Sequence, residues 1–276
     1  MKWKSAFVLP LFKGGDPAIL NNHRPISNLS VLAKILETLV SKQLKEFLYS
    51  NAILSPYQSG FRKKHSTITA ALKVVNDICV ALDKKQHCAS LFIDLSKAFD
   101  TVDQDVLRLR LLNSGLSDQA VAWFTSYLEN RSQCIRYEGL SSDIATVCKG
   151  MPQELVLGPL LFTIYINNLG QNVVDANCHF YADDTVIYCC VSTLVQAIDL
   201  LQNAFNVVQD TLFQLKLVLN TDTKLMLFSN SRSRPQNIPS VVTLEGSEIE
   251  VVDSYKYLGI LIDDPLTFQP HMYSTW

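Results

Sequence analysis

Three aspartates stand at the ends of segments that otherwise have the composition of buried strands. Asp94 lies at the end of the apolar run CASLFIDL (88–95), and Asp183 and Asp184 separate the strand-like halves CHFYA and TVIYCC. If both segments belong to one sheet, the three carboxylates converge at one end of it. Crowded carboxylates raise one another's pKa unless a cation neutralises them.

The chemistry that suits such a cluster is divalent metal binding. Mg²⁺ prefers oxygen ligands and is typically held by one or two carboxylates together with substrate phosphates. Two such ions can clamp the attacking and leaving oxygens of a phosphoryl transfer. An Asp-Asp pair at a hairpin tip also has a plain structural explanation, because aspartate tolerates turn conformations. The pair alone therefore does not decide between the two.

Hydrophobic periodicity predicts the elements that would position these carboxylates. Predicted strands cover residues 6–12, 88–95 and both halves of a hairpin with Asp183 and Asp184 at its turn. A second hairpin spans 132–150, and three or four strands fill 223–262. Predicted helices cover residues 28–49, capped by Ser27 or Asn28, then 66–82, 103–113, 117–129, 158–169 and 192–215. Hairpins outnumber crossovers, so the predicted fold class is α+β, an antiparallel sheet backed by helices.

Composition limits the possible classes of protein. The net charge of −2 over 276 residues is not a basic signature, so any binding of nucleic acid must depend on local Lys and Arg or on bound cations. The seven cysteines contain no C-x-x-C pair and no zinc-ligand spacing, which indicates free thiols in a reducing, intracellular compartment. No secretion signal or transmembrane segment is indicated, so a membrane partner is not expected.

Six blocks of the sequence together resemble the reverse transcriptase domain of non-LTR (LINE-like) retrotransposons. They occur in the family's order and extend over nearly the whole chain. The blocks are LFKGGDPAILNNHRPISNLSVLAKILE (11–37), YQSGFRKKHSTITAA (57–71), FIDLSKAFDTVD (92–103), MPQ with VLGPLLFTIYIN (151–167), FYADD (180–184) and YKYLGILID (255–263).

The resemblance implies a right-hand polymerase fold and RNA-directed DNA polymerase activity. Residues 1–85 would form a fingers-like region, and residues 86–276 would form the palm, with part of the fingers around 110–150. The chain stops soon after YLG, so we expect a fragment without the thumb. The implied partners are an RNA template, a DNA primer and dNTPs, and the implied cofactor is two Mg²⁺ ions, with Mn²⁺ as a substitute.

The resemblance also implies roles for individual residues. Asp94, Asp183 and Asp184 would be the catalytic, metal-binding aspartates, with Asp184 less directly coordinated. Phe99 would be the steric gate that excludes a 2′-hydroxyl, and core packing is its alternative. The other implied nucleotide-binding residues are Gln153, Arg62, Lys13 and Lys224. The implied primer and template contacts are Tyr181, Lys63 and Lys64.

Several of these residues also have plain explanations. Lys13 could be a solvated loop lysine, and Tyr181 could simply pack within its strand. Tyr255 and Tyr257 fit the family's primer-gripping hairpin, but they fit core packing equally well.

The sequence departs from the family pattern at two functional blocks. It has PQELVLGP where the family usually has PQGSVLGP, so Glu154 and Leu155 replace a glycine and a serine. A bulky, negative side chain beside an incoming triphosphate would hinder its binding. The block LVLNTDTKLMLF (217–228) lacks one residue, apparently the first lysine of the family pattern. These departures favour the alternative of a decayed, non-catalytic retrotransposon fragment with at most residual nucleic-acid binding.

Overall fold

The structure is a computed structural model that describes residues 2–151, 156–229 and 238–274. The helices in these residues are α1 (Val31–Ser50), α2 (Thr67–Asp83), α3 (Ala98–Thr101), α4 (Gln104–Asn113), α5 (Asp118–Leu128), α6 (Gly158–Tyr165), α7 (Leu194–Gln214) and α8 (Gln269–Ser274). The strands are β1 (Ser5–Phe12), β2 (His23–Asn28), β3 (His87–Ile93), β4 (Arg131–Tyr137), β5 (Leu140–Ser141), β6 (Ala145–Val147), β7 (Asn177–Tyr181), β8 (Asp184–Val191), β9 (Lys224–Phe228), β10 (Glu250–Val251), β11 (Ser254–Tyr257) and β12 (Ile260–Asp263).

The chain divides into two compact units, each made of two segments. The first unit comprises Met1–Leu54 and Lys97–Ile166, and the second comprises Ser55–Ser96 and Asn167–Trp276. The sequence predicted a fingers-like region in residues 1–85, with part of the fingers around 110–150 and the palm in the rest of 86–276. The assignment of fingers and palm to the two regions stays a prediction.

The first unit is built on a sheet in the order β2-β1-β4-β5, with β6 also paired to β4. Strand β1 pairs antiparallel with β2 and parallel with β4. The buried carboxylate of Glu37 in α1 connects this helix to two other parts of the unit. Glu37 accepts hydrogen bonds from the Tyr127 hydroxyl at 2.8 Å and from the backbone N–H of Val156 at 2.9 Å. Glu37 also accepts from the N–H of Leu157, the N-cap of α6, at 3.4 Å, so it anchors the backbone that leads into this helix.

The second unit contains the sheet β10-β9-β3-β8-β7, in which only β9 and β10 pair in parallel. Strand β3 is central and buried on both faces, as its continuous apolar sequence predicts. Because side chains alternate along a strand, Phe92 faces a cluster with Val74 of α2 and Tyr257 of β11, whereas Leu91 points to the opposite face. Helix α7 contacts β3 and β8, and the remaining strands β11 and β12 form a separate antiparallel hairpin.

The observed helix ends differ most from the predicted ones where a polar side chain forms a hydrogen bond with a backbone N–H. Helix α1 begins after Ser30, whose side chain accepts from the Ala33 N–H, rather than after Ser27 or Asn28. Residues 23–28 instead form β2, which the sequence did not reveal. Helix α6 ends at Tyr165, four residues before its predicted end, where the side chain of Asn167 instead accepts from the Ser55 N–H.

In the part of the chain that the structure describes, no helix combines the length and apolar character needed to cross a bilayer. The predicted α+β organisation of mixed helices and mostly antiparallel sheets agrees with the observed elements.

The core of the second unit generates a stability prediction for α7. Phe205 is 0% exposed, and Phe213, on the same helix, is 81% exposed. We expect Phe205→Ala to lower the free energy of unfolding by about 3–5 kcal/mol because it leaves a cavity. The matched variant Phe213→Ala should change it by less than about 0.5 kcal/mol. Urea unfolding followed by circular dichroism measures both, and equal losses would contradict this assignment of the buried face.

Candidate active site

The pairing register of two strands brings Asp94 and Asp184 together. Strands β3 and β8 are antiparallel, with Ile93 paired to Thr185. Continuing that register by one residue sets Asp94, which follows β3, beside Asp184, which begins β8. The side-chain period of a strand is two, so a slip of one residue would reverse the faces of the whole strand. The buried residues on both faces of β3 therefore fix where its terminal carboxylate lies.

The hairpin of β7 and β8 carries the other carboxylate of the cluster. Tyr181 pairs with Asp184, so the two-residue turn consists of Ala182 and Asp183. The prediction that both aspartates lie in the turn is thus corrected, because Asp184 is already part of β8. Ala182 has a φ of 57°, a left-handed conformation that residues with a Cβ seldom adopt.

Asp94 is held by the segment between α7 and β9. Its Oδ2 accepts from Asn220 Nδ2 at 2.5 Å, and its backbone carbonyl accepts from the Asn220 N–H at 2.9 Å. Its own N–H donates to the Thr223 hydroxyl at 3.2 Å. This contact pattern restricts both the backbone and the carboxylate of Asp94.

The electrostatics agree with carboxylates that crowd one another. Burial of the carboxyl group, followed by the charges of Asp183 and Asp94, raises the pKa of Asp184 to about 6, although the residue as a whole is exposed to solvent. Burial and the charges of Asp94, Asp184 and Asp222 raise the pKa of Tyr255 to about 12. Tyr255 is fixed by stacking on Phe92, with ring centroids 4.6 Å apart. An acidic end of the sheet is therefore flanked by a phenol.

The donor set suits a hard divalent cation by its chemistry. Carboxylate oxygens are the ligands that Mg²⁺ prefers. A nearby cation would offset both the burial of the Asp184 carboxyl group and its repulsion by Asp183 and Asp94, which together raise its pKa. Within residues 2–151, 156–229 and 238–274, no three His, Cys, Asp or Glu side chains already stand close enough to share an ion.

Five of the other predicted site residues lie in the second unit. Arg62 uses Nη1 to donate to the carbonyls of Ser55 and Gln58, at 3.0 Å each. Lys224 begins β9 and forms an ion pair with Glu250 at 2.9 Å. Lys63 and Lys64 are exposed in the turns that precede α2. Tyr181 is half-buried at the end of β7.

The remaining predicted residues belong to the first unit. Lys13 is exposed just after β1. Phe99 in α3 is half-buried and stacks on Phe162, with ring centroids 4.5 Å apart, and its role as a steric gate stays a prediction. Gln153 lies outside the described residues, as do Glu154 and Leu155. The residue before this segment is anchored, because the Met151 N–H donates to the Phe99 carbonyl at 2.8 Å.

Sequence reasoning missed three residues around the carboxylates. Asn220 binds Asp94, Asp222 adds a fourth carboxylate nearby, and Gln58 contacts the turn. Asn220 and Asp222 lie in the block LVLNTDTK, in which only Lys224 was predicted to have a role. Gln58 lies in YQSGF, at the start of the block in which Arg62 was predicted to have a role. Each of the three is a polar residue within a family block, and that position is the feature that could have indicated a role.

Comparison with known proteins agrees with the motifs. The model of the family "Reverse transcriptase (RNA-dependent DNA polymerase)" matches residues 13–262. The "Probable RNA-directed DNA polymerase from transposon BS" of Drosophila melanogaster is 31% identical over 283 residues, covering 99% of this chain and 31% of that protein. The RNA-directed DNA polymerase from mobile element jockey of Drosophila funebris is 30% identical, covering 98% of this chain and 30% of that protein. The chain thus spans about a third of the length of these relatives.

Solved structures with the same fold include telomerase. Apo telomerase from Candida tropicalis matches with a TM-score of 0.62 at 11% identity, covering 97% of this chain and 48% of that one. A form of that protein truncated from the C-terminal domain matches with a TM-score of 0.60 at 12% identity, covering 97% and 55% of the two chains. At this identity the similarity establishes a shared mixed α/β fold.

The raised pKa of Asp184 predicts a pH-dependent difference between the metal-free wild type and Asp184→Asn. The folded-state pKa of about 6 exceeds the ordinary value of 3.8, so the folded protein binds more protons between these values. The wild type should therefore lose stability relative to Asp184→Asn as pH rises from about 4 to about 6, and the difference should be constant above that. Solvent screening limits the change to about 1 kcal/mol.

Comparison with the asparagine variant isolates this effect from that of His179. Burial lowers the pKa of His179 to about 4, which makes the folded state more stable as pH rises and is common to both proteins. Urea unfolding with a chelator present, at about pH 4 and about pH 7, measures the difference. A difference that stays the same at both pH values would contradict the assigned environment of Asp184.

Proposed function

Because the chain belongs to the reverse transcriptase (RNA-dependent DNA polymerase) family, we propose that it carries the catalytic core of an RNA-directed DNA polymerase of the non-LTR retrotransposon type. In this proposal it adds dNTPs to the 3′-hydroxyl of a DNA primer on an RNA template. The observation that carries the proposal is that Asp94 lies beside Asp184 at the start of β8 and close to Asp183 in the preceding turn, inside the region that the family model matches.

The proposed architecture is that of a right-hand polymerase. The sheet β10-β9-β3-β8-β7 with α2 and α7 would be the palm, because it bears the carboxylates at the end of its central strand. The first unit would contain most of the fingers. The similarity in fold to telomerase supports this reading of the sheet.

Members of this family generally use divalent metal ions. In this chain Asp94 and Asp183 would hold two Mg²⁺ ions, with Asp184 beside them and Mn²⁺ as a substitute. The ions would supply neutralisation of charge on the transferred phosphoryl group. The support for these ligands is their oxygen chemistry and the raised pKa of Asp184, which arises first from burial and then from the charges of Asp183 and Asp94.

The protein's own contribution is to position the reactants. Asn220 fixes one oxygen of Asp94, leaving the other to bind a cation. Phe99, packed on Phe162, would exclude a 2′-hydroxyl from the sugar site and so select dNTPs. Arg62, Lys13, Lys224 and Gln153 would contact the nucleotide, whereas Tyr181, Lys63 and Lys64 would contact primer and template. For Lys224 this role requires release from Glu250, with which it is paired.

The alternative function is that of a decayed fragment without catalysis. Glu154 and Leu155 stand where the family pattern has glycine and serine, and one lysine is missing before Lys224. A glutamate beside an incoming triphosphate repels it, and a displacement of about 1 Å can reduce a rate about 10²-fold. These features leave the carboxylate cluster intact, so a restored sequence separates the two functions.

Primer extension tests the proposal directly. We expect the wild-type chain to extend an oligo(dT) primer on poly(rA) weakly, and Glu154→Gly together with Leu155→Ser to raise the rate by about 10²-fold. Adding Asp183→Ala to that restored variant should abolish the Mg²⁺-dependent extension, because it removes a proposed ligand.

Two outcomes would contradict the proposal. Extension that survives Asp183→Ala would place the chemistry elsewhere. A restored variant that is folded and binds the primer–template, yet shows no Mg²⁺-dependent extension, would favour the non-catalytic alternative.

A further inference from the structure

The outer edge of the proposed catalytic hairpin is covered by a segment that precedes α2. The Phe180 N–H of β7 donates to the Tyr57 carbonyl at 2.8 Å, and the Ser59 N–H donates back to the Phe180 carbonyl at 2.8 Å. Gln58 therefore bridges Phe180 in parallel. Residues 57–60, which we name the edge segment, pair with the last part of β7, immediately before the Ala182–Asp183 turn.

The side chain of Gln58 binds that turn. It is 1% exposed, and its Oε1 accepts from the Ala182 N–H at 3.2 Å and from the Gly60 N–H at 2.6 Å. Ala182 is the turn residue with positive φ, a conformation that costs on the order of 1 kcal/mol for an alanine. The amide oxygen thus holds the strained residue that directly precedes Asp183.

The backbone of the edge segment approaches the same turn closely. A Cβ on Gly60 would lie 2.4 Å from the Ala182 nitrogen and 3.1 Å from the Tyr181 carbonyl carbon. Both are backbone atoms, so a side chain could be accommodated only by shifting the turn. Glycine at this position allows the hydrogen bond from Ala182 to Gln58 to form.

Other contacts hold the edge segment in place. The Ser59 hydroxyl bonds with His179 Nε2 of β7 at 3.0 Å, and His179 Nδ1 bonds with the Tyr257 hydroxyl at 3.1 Å. Arg62 Nη1 donates to the Gln58 carbonyl at 3.0 Å. These bonds fix the Gln58 backbone relative to β7, so its amide acts from a defined position.

Within the described ranges, the side-chain amide of Gln58 forms hydrogen bonds through its oxygen only, and leaving its nitrogen buried without a partner does not favour stability. Its Nε2 is buried and has no hydrogen-bond partner among residues 2–151, 156–229 and 238–274. An unsatisfied buried N–H costs about 1–3 kcal/mol. The orientation of the Gln58 amide is nevertheless fixed. The N–H groups of Ala182 and Gly60 are both donors, and only the amide oxygen of Gln58 can accept from them.

We propose that Gln58 is a positioning residue for Asp183, acting through the Ala182 turn. Its amide oxygen keeps the turn in the left-handed conformation from which the Asp183 carboxylate is presented beside Asp94. The inference rests on the proposed function, since it takes Asp183 to be a metal ligand. Loss of the residues that orient a ligand typically weakens metal binding by about 10–100-fold.

The second unit offers a matched control for Gln58. Gln209 of α7 is 8% exposed, its Oε1 accepts from the Leu244 N–H at 2.9 Å, and its Nε2 also has no partner among the described residues. Substitution by methionine removes the same amide at either position and keeps a similar volume. Only the Gln58 variant removes a contact with the carboxylate turn.

The experiment uses the whole chain and Mn²⁺ as the probe. Wild type, Gln58→Met, Gln209→Met and Asp183→Asn are compared for Mn²⁺ affinity by electron paramagnetic resonance and for hydrogen exchange of the Ala182 amide. For Gln58→Met we expect about 10-fold weaker Mn²⁺ binding and about 10-fold faster exchange at Ala182. Gln209→Met should match the wild type in both, and Asp183→Asn should weaken Mn²⁺ binding while leaving the Ala182 amide protected.

The outcomes separate the two hypotheses. Wild-type Mn²⁺ affinity in folded Gln58→Met would overturn the positioning role of Gln58 and leave the proposed metal site standing, provided that Asp183→Asn still weakens binding. Mn²⁺ binding that is unaffected by Asp183→Asn would overturn both the metal site and the positioning role. If Gln58→Met does not fold, Gln58→Asn takes its place, because it keeps an amide that is one methylene too short to reach Ala182.

Discussion

The antiparallel register between β3 and β8 is the constraint on which the site depends. Ile93 opposite Thr185 fixes Asp94 beside Asp184, and the two-residue turn then sets Asp183 next to them. The register is determined far from the carboxylates, by buried side chains that alternate between the α2 face and the α7 face of the sheet. A hydrophobic core that tolerates only one register therefore imposes the geometry of a polar cluster.

The register concentrates negative charge, and the surroundings of the cluster compensate for this only in part. Asn220 donates a hydrogen bond to Asp94, but its side chain is uncharged and cannot neutralise the negative charge. The nearby Tyr255 is a neutral phenol, because its pKa is raised. Lys224, to which the family resemblance assigns a nucleotide contact, is paired with Glu250. Burial, followed by the charges of Asp183 and Asp94, raises the pKa of Asp184. Carboxylates crowded in this way destabilise the fold when no cation is bound. The same excess of negative charge favours the binding of metal ions that arrive with a substrate.

The strands and helices with strong hydrophobic periodicity were predictable from the sequence. Elements and contacts that depend on the hydrogen bonds of single side chains were not. β3, α2 and α7 were foreseen within a few residues because their apolar patterns are continuous. β2 was missed because its residues, HRPISN, pair with β1 without an alternating pattern. The carboxylates were identifiable from their position after strands, but Gln58 was not, since its contact with Ala182 joins residues 124 positions apart. Long-range hydrogen bonds of this kind have no local signature.

The decisive measurement is anomalous diffraction from crystals of the chain grown with Mn²⁺. We expect two anomalous peaks between the carboxylates of Asp94 and Asp183, with Asp184 close to them, and loss of both peaks in Asp183→Asn. Peaks confined to other carboxylates, or an empty cluster in crystals that bind Mn²⁺ elsewhere, would contradict this expectation. In that case the shared end of β3 and β8 would be a consequence of the fold without a metal-binding role.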